Sequence, residues 1–136
     1  MFGAEQIGHA EREFGFRYPP AFVAAAPTLE ALAATPAFAS AFPETRLVPP
    51  ADLAAAWAGR CPPTLVPFMC TGRPGFGDHY CFHKCRSGTG LPVVVFADHA
   101  VVCDWPDYDA FLAWAVRQCT AEPGAAADGG HDPGSS

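Results

Sequence analysis

Hydrophobic side chains near the start of the chain recur at the spacing of one helix face. Ile7, Ala10 and Phe14 lie three and four positions apart, and charged residues fill many of the positions between them. This pattern predicts a helix over residues 5–14, because one side of such a helix faces a core while the other faces water. Gly15 follows at the point where a glycine in the left-handed conformation ends many helices.

Prolines mark the boundaries of the next predicted helices. Pro19 and Pro20 are typical of the first turn of a helix, because a backbone N–H is not needed there. Pro27 predicts the end of this second, short helix, since proline disrupts a helix interior. Thr28 then predicts the N-cap of a third helical segment, because its hydroxyl accepts a hydrogen bond from an early backbone N–H.

The hydrophobic pattern changes from helical to extended in the middle of the chain. Residues 45–48 predict a short strand, and residues 51–58 predict a helix that Pro50 opens and Gly59 closes. Beyond this helix, short apolar or alternating runs are separated by glycine-bearing and polar segments, which is typical of antiparallel strands joined by turns. These predicted strands cover residues 65–70, 78–83, 92–97 and 100–103.

The last helix has the most complete apolar stripe. Six residues recur at the spacing of one helix face, Asp107 precedes them as the predicted N-cap, and Asp109 and Arg117 match the helix dipole. Residues 120–136 contain no large apolar side chain, which predicts a disordered tail rich in alanine, glycine and proline. The stripe consists of Tyr108, Phe111, Leu112, Ala115, Val116 and Cys119.

Together these elements predict one α+β domain over residues 1–119. We expect N-terminal helices, a mostly antiparallel sheet of roughly four to six strands, and a C-terminal helix packed on the sheet. A length of 136 residues allows one ordinary domain, and a composition with 50% hydrophobic and 16% charged residues is that of a folded chain.

The overall charge of the chain is negative. Eight Lys and Arg residues against fourteen Asp and Glu residues give a formal net charge of -6. This balance disfavours nucleic acid and anionic membranes as partners and favours a basic partner. The first residues show neither the basic nor the apolar segment of a secretory signal, and no apolar run is long enough to cross a bilayer. We therefore expect a cytoplasmic location.

Three motifs follow one another over about residues 7–114: IGHAEREFGFRYPPAF, LVPFMCTGRPGFGDHYCF and PVVVFADHAVVCDWPDYDAFLAW. In this order they resemble the SUKH superfamily, which contains fungal cell-wall assembly regulators and bacterial proteins regarded as immunity partners of polymorphic toxins. The chain differs from the family pattern at two places, because the usual Asn-Gly after the second helix is missing and His83 replaces an acidic residue. The residues that carry the resemblance are Glu11, Gly15, Pro19, Gly77, Asp78, Asp98, His99, Phe111 and Leu112.

The resemblance implies a non-enzymatic α+β module that binds another protein. For an immunity protein, the implied partner is a cognate toxin domain, which the module blocks by steric and electrostatic means. We expect no cofactor. Two other functions stay open, a metal- or thiol-dependent enzyme and a scaffold or regulatory protein similar to the fungal members.

Histidine and cysteine alternate along the predicted strand at residues 78–83. Zinc takes such ligands, but alternate strand residues advance by about 6.6 Å, so His79 and His83 lie roughly 13 Å apart and do not easily share one ion. The chain also has no Cys-x-x-Cys pair. We therefore expect no metal, with Cys81 in the core and the histidines solvated. The residues considered as ligands are His79, Cys81, His83, Cys85, Cys70 and Cys103.

Signatures of catalysis are weak in this sequence. Asp98 and His99 are adjacent, and neighbours on an extended chain point to opposite faces, so they are poorly placed to act as a dyad. Neither a GxSxG motif nor the papain-type cysteine signature occurs. The glycines of TGRPGFG lead into a predicted strand, so the helix N-terminus that a phosphate site needs is absent there. We expect no catalytic residues.

Acidic residues gather in the second half of the predicted domain. Helix starts and turns account for such residues individually, yet loops at one end of a meander can bring several together and attract a basic partner. Toxin nuclease domains are often basic because they hold phosphates. Trp114 lies at the edge of the final stripe, which fits either core packing or a partly exposed interface anchor. The candidate partner-binding residues are Asp78, Asp98, Asp104, Trp105, Asp107, Asp109 and Trp114.

Overall fold

Five antiparallel strands form one sheet in the computed structural model, and their spatial order follows their order along the chain. This is the meander that the extended part of the pattern predicts, and each predicted strand is confirmed to within two residues. The strands are β1 (Thr45–Leu47), β2 (Leu65–Thr71), β3 (His79–His83), β4 (Val93–Ala97) and β5 (Ala100–Trp105). The structure describes residues 2–59, 61–72, 77–83, 92–97 and 99–120.

Five α-helices accompany the sheet in the described part of the chain. The predicted first and last helices are confirmed, and the helix predicted at residues 51–58 begins with a short 3-10 turn, Pro50–Asp52. The fold is therefore α+β, as the sequence predicts. The helices are α1 (Ala4–Phe14), α2 (Pro20–Ala33), α3 (Pro36–Ala41), α4 (Leu53–Ala58) and α5 (Tyr108–Thr120).

The prediction that Pro27 ends a helix is wrong, because Pro27 lies inside the continuous helix α2. A proline in a helix interior costs about 3 kcal/mol. Phe22, Ala26 and Leu29 fall on one face of α2 and are buried, so packing on both sides of the proline stabilises the unbroken helix. Pro27 itself is exposed, where water can solvate the carbonyl group that loses its helical partner.

Thr28 is consequently an interior residue of α2, and a different threonine begins the third helix. The side-chain oxygen of Thr35 accepts a hydrogen bond from the backbone N–H of Phe38 at 3.2 Å. Pro36 follows as the first residue of α3, with its ring already at the backbone angle of a helix. The Thr-Pro pair at residues 35 and 36 is the sequence signal for this start.

The larger core lies between the helices and one face of the sheet. Phe22 of α2 is at its centre, and its ring centroid lies 5.1 Å from that of Phe82 in β3 and 5.1 Å from that of Tyr108 in α5. Phe111 of α5 packs edge to face on Phe68 of β2, with 5.2 Å between the ring centroids. Aromatic rings from α2, α5 and two strands thus fix the C-terminal helix on the sheet.

The apolar stripe of α5 is buried along its centre and exposed at one border. Tyr108, Phe111 and Ala115 are buried, whereas Val116 is 37% exposed. The expectation of a complete core-facing stripe is wrong at Val116, because this residue lies about 100° around the helix from Ala115. The helix extends to Thr120, the first residue of the predicted tail, and residues 121–136 lie outside the described residues.

A smaller core lies on the other face of the sheet, beneath α4. Ala56 of α4 is buried there with Leu65 and Cys81 from the strands. The indole Nε1–H of Trp57 donates a hydrogen bond to the carbonyl oxygen of Leu65 at 2.7 Å, which ties α4 to the start of β2. Both faces of the central strands are therefore covered in this part of the sheet.

Candidate functional site

Three acidic side chains lie where β5 turns into α5. We call Asp104, Asp107 and Asp109 the acidic corner, because they fall within six consecutive residues that end the strand and begin the helix. The Oδ1 atom of Asp107 accepts a hydrogen bond from the backbone N–H of Ala110 at 2.9 Å, so the predicted N-cap is confirmed. Asp109 lies in the first turn of α5, where the helix dipole favours negative charge.

The two outer carboxylates of the acidic corner face solvent. Asp104 and Asp109 are exposed, and neither forms an ion pair with another residue in the described part of the chain. The electrostatic influence of Asp109, together with the larger effect of burial, raises the pKa of the neighbouring Tyr108. The charge of the corner is thus not neutralised within the described fold and is available to a partner.

Two tryptophans border the acidic corner and are only half-buried. The ring centroids of Trp105 and Trp114 lie 4.9 Å apart. Trp105 also packs edge to face on Phe111, with 5.1 Å between the ring centroids. Trp114 contacts Phe42 on its other side, with 5.5 Å between the ring centroids. Both side chains are therefore fixed by core contacts while part of each indole stays at the surface.

Asp78, another of the predicted acidic residues, lies at the opposite end of the sheet. His79 at the start of β3 pairs with Phe96 near the end of β4, which pairs with Val101 near the start of β5. Asp78 is therefore at the end where β5 begins, and the acidic corner is at the end where β5 finishes. Asp78 is exposed. Asp98 lies outside the described residues.

The turn that leads into β3 needs its glycine. Gly77 has φ of 73°, and a Cβ atom built there would overlap the backbone carbonyl oxygen of Thr71. The backbone N–H of Thr71 also donates to the carbonyl oxygen of Asp78 at 2.9 Å. Between β4 and β5, His99 is exposed and has φ of 65°, a left-handed conformation that is uncommon for residues other than glycine.

The remaining motif residues lie in the helical part of the fold. Gly15 has φ of 71° and ψ of 43°, and its N–H donates to the carbonyl oxygen of Glu11 at 3.0 Å, as the predicted helix end requires. Pro19 is buried directly before α2. Phe111 is fully buried, and Leu112 beside it is half-buried against the larger core. The geometry therefore gives these motif residues structural roles.

The histidines and cysteines considered as ligands differ in how deeply they are buried. Cys81 is fully buried, as expected, but the expectation that the histidines are solvated is wrong for His79, which is fully buried. His79 pairs across the sheet with Cys70, on the face opposite the larger core, and its Nδ1 atom lies 3.1 Å from the carbonyl oxygen of Gly77. Burial lowers the pKa of His79 and favours the neutral ring, in which Nδ1–H can donate to that carbonyl. His83 is half-buried.

A pair of buried thiols lies beneath α4, and one of its members has no sequence signal. The Sγ atoms of Cys61 and Cys81 are 3.9 Å apart. Cys61 follows α4 at no spacing typical of a metal or redox motif, and only the folding of α4 over β3 brings it to Cys81. Burial raises the pKa of both Cys81 and Cys70, although Arg46 acts in the opposite direction at Cys70.

The described residues contain no group of three or more metal-ligating side chains with a geometry that could hold an ion. Cys103 is exposed on β5, two strands away from Cys81 in β3, and Cys85 lies outside the described residues. An open groove of about 590 Å³ between α1 and the 3-10 turn has polar side chains such as those of Glu5, His9 and Arg12 in its lining, and no cysteine among them. His9 of that lining is paired with Glu13 at 2.9 Å.

Comparisons of the chain with protein-family models, with curated proteins and with solved structures find no match. Each helix in the described part of the chain is too short or too polar to span a membrane.

Proposed function

We propose that this chain is a non-enzymatic protein-binding module, and specifically an immunity protein that binds and blocks a basic toxin domain in the cytoplasm. The observation that carries the proposal is the acidic corner, where Asp104 and Asp109 are exposed and have no ion-pair partner among the described residues. Trp105 and Trp114 border it with half-exposed indoles of the kind that anchor interfaces. The order of the three SUKH-like motifs supports the same function.

The proposed mechanism is occlusion assisted by charge. A chain with a formal charge of -6 attracts a basic surface over a distance of several ångströms, which accelerates encounter more than it strengthens the final complex. A toxin nuclease that uses Lys and Arg residues to hold phosphates would present such a surface. The immunity protein then covers that surface, and no bond is made or broken.

Thiol chemistry has less support as an alternative. A nucleophilic cysteine needs an appreciable thiolate fraction near neutral pH, and burial acts against the thiolate at Cys70 and Cys81. His79, which pairs with Cys70 across the sheet, has its pKa lowered by burial. A lowered pKa is compatible with a general base, but the thiols of Cys70 and Cys81 are fully buried and offer a substrate no access.

The test is co-expression with the toxin domain encoded beside the gene, followed by measurement of the association rate. We expect rescue of growth by the wild-type chain. The double variant Asp104→Lys and Asp109→Lys should slow association by about tenfold or more at low salt, because it reverses the charge at the proposed surface. Asp107 is kept, since it caps α5.

The control is Asp78→Lys, which reverses the charge of one other exposed carboxylate, at the opposite end of the sheet. We expect it to slow association much less than the double variant. Equal rates for all three proteins would remove the acidic corner as the interface. Failure of the wild-type chain to bind or neutralise that toxin would overturn the immunity function itself.

A further inference from the structure

One edge of the sheet carries a long exposed strand. β5 is the last strand in the sheet order and pairs only with β4 among the described strands. Its residues 100–104 are exposed. The other edge strand, β1, has only three residues. Backbone groups along the outer side of an edge strand form a template that accepts another extended chain.

The exposed edge is also apolar at its centre. Val101 and Val102 are 51% and 61% exposed, more than any other large hydrophobic residue in the described part of the chain. Phe96 pairs with Val101 and Val95 pairs with Cys103, so Val102 is an additional residue in β5 that forms a bulge. Two adjacent valines on a bulged edge strand form a small patch that water would leave if another chain covered it.

Negative charge argues against a second copy of the chain as the occupant of this edge. A charged residue is one way in which edge strands avoid pairing with themselves, and β5 carries the exposed Asp104. Two copies would each carry a formal charge of -6.

The chain itself also lacks a segment suited to this edge in its last part. Residues 121–136 contain two prolines, no β-branched or aromatic residue, and acidic residues that Asp104 would repel. A basic extended segment, by contrast, places a Lys or Arg beside Asp104 and Asp109, which have no ion pair within the described residues.

We propose that the protein partner inserts an extended segment alongside β5, with apolar side chains on Val101 and Val102 and a Lys or Arg beside Asp104. This inference rests on the proposed function, since it names how a basic partner engages the acidic corner. The edge supplies backbone hydrogen bonds, the valines supply apolar contact, and the carboxylates select a basic sequence over an acidic one.

The first experiment measures binding of two synthetic peptides to the full chain by calorimetry. One peptide alternates valine with lysine, and the other alternates valine with glutamate. We expect the lysine peptide to bind at least about ten times more tightly. Replacing both edge valines, Val101→Thr with Val102→Thr, should weaken that binding about tenfold while the β-branched shape that suits a strand is kept.

The matched control is Val23→Thr, which changes another exposed valine far from the edge, on α2. It should bind the lysine peptide within about twofold of wild type. A second edge variant, Val102→Pro, removes one N–H at the bulge, a position where proline is tolerated, and should also weaken binding. No binding of the lysine peptide to wild type, or equal binding by the edge and control variants, overturns the proposal.

A second readout separates failure of this inference from failure of the proposed function. If the toxin binds the edge variants as tightly as wild type but binds the Asp104→Lys and Asp109→Lys variant more slowly, the inference on β5 is wrong and the proposed function stands. If light scattering shows a dimer that the Val102→Pro change abolishes, a second copy occupies the edge and the inference is wrong. Weaker toxin binding by the edge variants, with Val23→Thr unchanged, supports it.

Discussion

The Oε2 atom of Glu11 accepts a hydrogen bond from the backbone N–H of Tyr18, with 2.8 Å between the two atoms. The chain between them turns at Gly15, whose N–H donates to the carbonyl oxygen of Glu11. Glu11 thus stabilises the turn from α1 to α2 at two places. Its backbone carbonyl accepts from Gly15, and its carboxylate accepts from Tyr18. Burial, with a smaller contribution from the Glu11 carboxylate, raises the pKa of Tyr18.

Removing the Glu11 carboxylate should destabilise the fold. For Glu11→Ala we expect the free energy of unfolding to fall by about 1–2 kcal/mol, because a backbone N–H loses a charged acceptor in a half-buried turn. Urea denaturation measures this value. The control is Glu13→Ala, which removes the exposed carboxylate paired with His9 on α1. It should lower the free energy of unfolding by less than about 0.5 kcal/mol. Equal losses in the two variants would show that the Glu11 contact contributes nothing specific.

Gly77 should tolerate a side chain less well than Gly72. Both glycines have positive φ, 73° and 81°, so alanine is strained at either position by about 1–2 kcal/mol. Only at Gly77 does an added Cβ overlap a backbone atom, the carbonyl oxygen of Thr71, whereas a Cβ at Gly72 has nothing within 4 Å. We therefore expect Gly77→Ala to lower the melting temperature clearly more than Gly72→Ala. Similar melting temperatures would mean that the turn before β3 relaxes to admit a methyl group.

The strands and the last helix are predictable from sequence because their signals are local. The short apolar runs of β3 and β4, and the stripe that begins at Tyr108, depend only on residues that are neighbours in the chain or one helical turn apart. Pro27 is a failure of the same local reasoning. Its cost is outweighed by the burial of Phe22 and Leu29, which depends on strands far away in sequence.

The candidate site is less predictable because it depends on contacts between distant residues. The grouping of Asp104 with Asp107 and Asp109 is local, and the sequence indicates it. The separation of Asp78 from that group follows from strand register, which the sequence alone does not specify. The bulge that exposes Val102 has no sequence signal either, since a run of apolar residues in a strand normally predicts burial.

Two buried tyrosines should tolerate the loss of their hydroxyl groups. The hydroxyls of Tyr18 and Tyr108 are buried and have no hydrogen-bond partner in the described structure. Burying a hydroxyl without a partner costs about 1–3 kcal/mol, so Tyr18→Phe and Tyr108→Phe should leave the free energy of unfolding unchanged or raise it by up to about 1 kcal/mol. Chemical denaturation tests both variants. A loss above about 1 kcal/mol in either would indicate that a buried water satisfies that hydroxyl.

Buried His79 should make stability fall under mildly acidic conditions. Burial lowers the pKa of His79 in the folded chain below its ordinary value of 6.5, so the unfolded chain binds a proton that the folded chain does not. The free energy of unfolding therefore decreases as the pH falls below about 6.5, and the contribution is fully present above that pH. Asp78 and the Gly77 carbonyl act in the opposite direction but are the smaller effects. The variant His79→Gln removes the titrating ring, so its free energy of unfolding should depend less on pH between about pH 8 and pH 5.5. The same pH dependence in the variant and in the wild type would show that His79 is not the group responsible.

The thiols should react at very different rates in the native protein. Cys103 is exposed on β5, whereas Cys61 and Cys81 are buried beneath α4 and burial raises the pKa of the Cys81 thiol well above its usual range. Alkylation by iodoacetamide at neutral pH should therefore label Cys103 at least about tenfold faster than Cys61 or Cys81, as peptide mass mapping can measure. In urea the three rates should converge, because unfolding removes the burial that separates them. Rapid native labelling of Cys81 would contradict the inert role given to it and would instead favour a thiol-dependent activity.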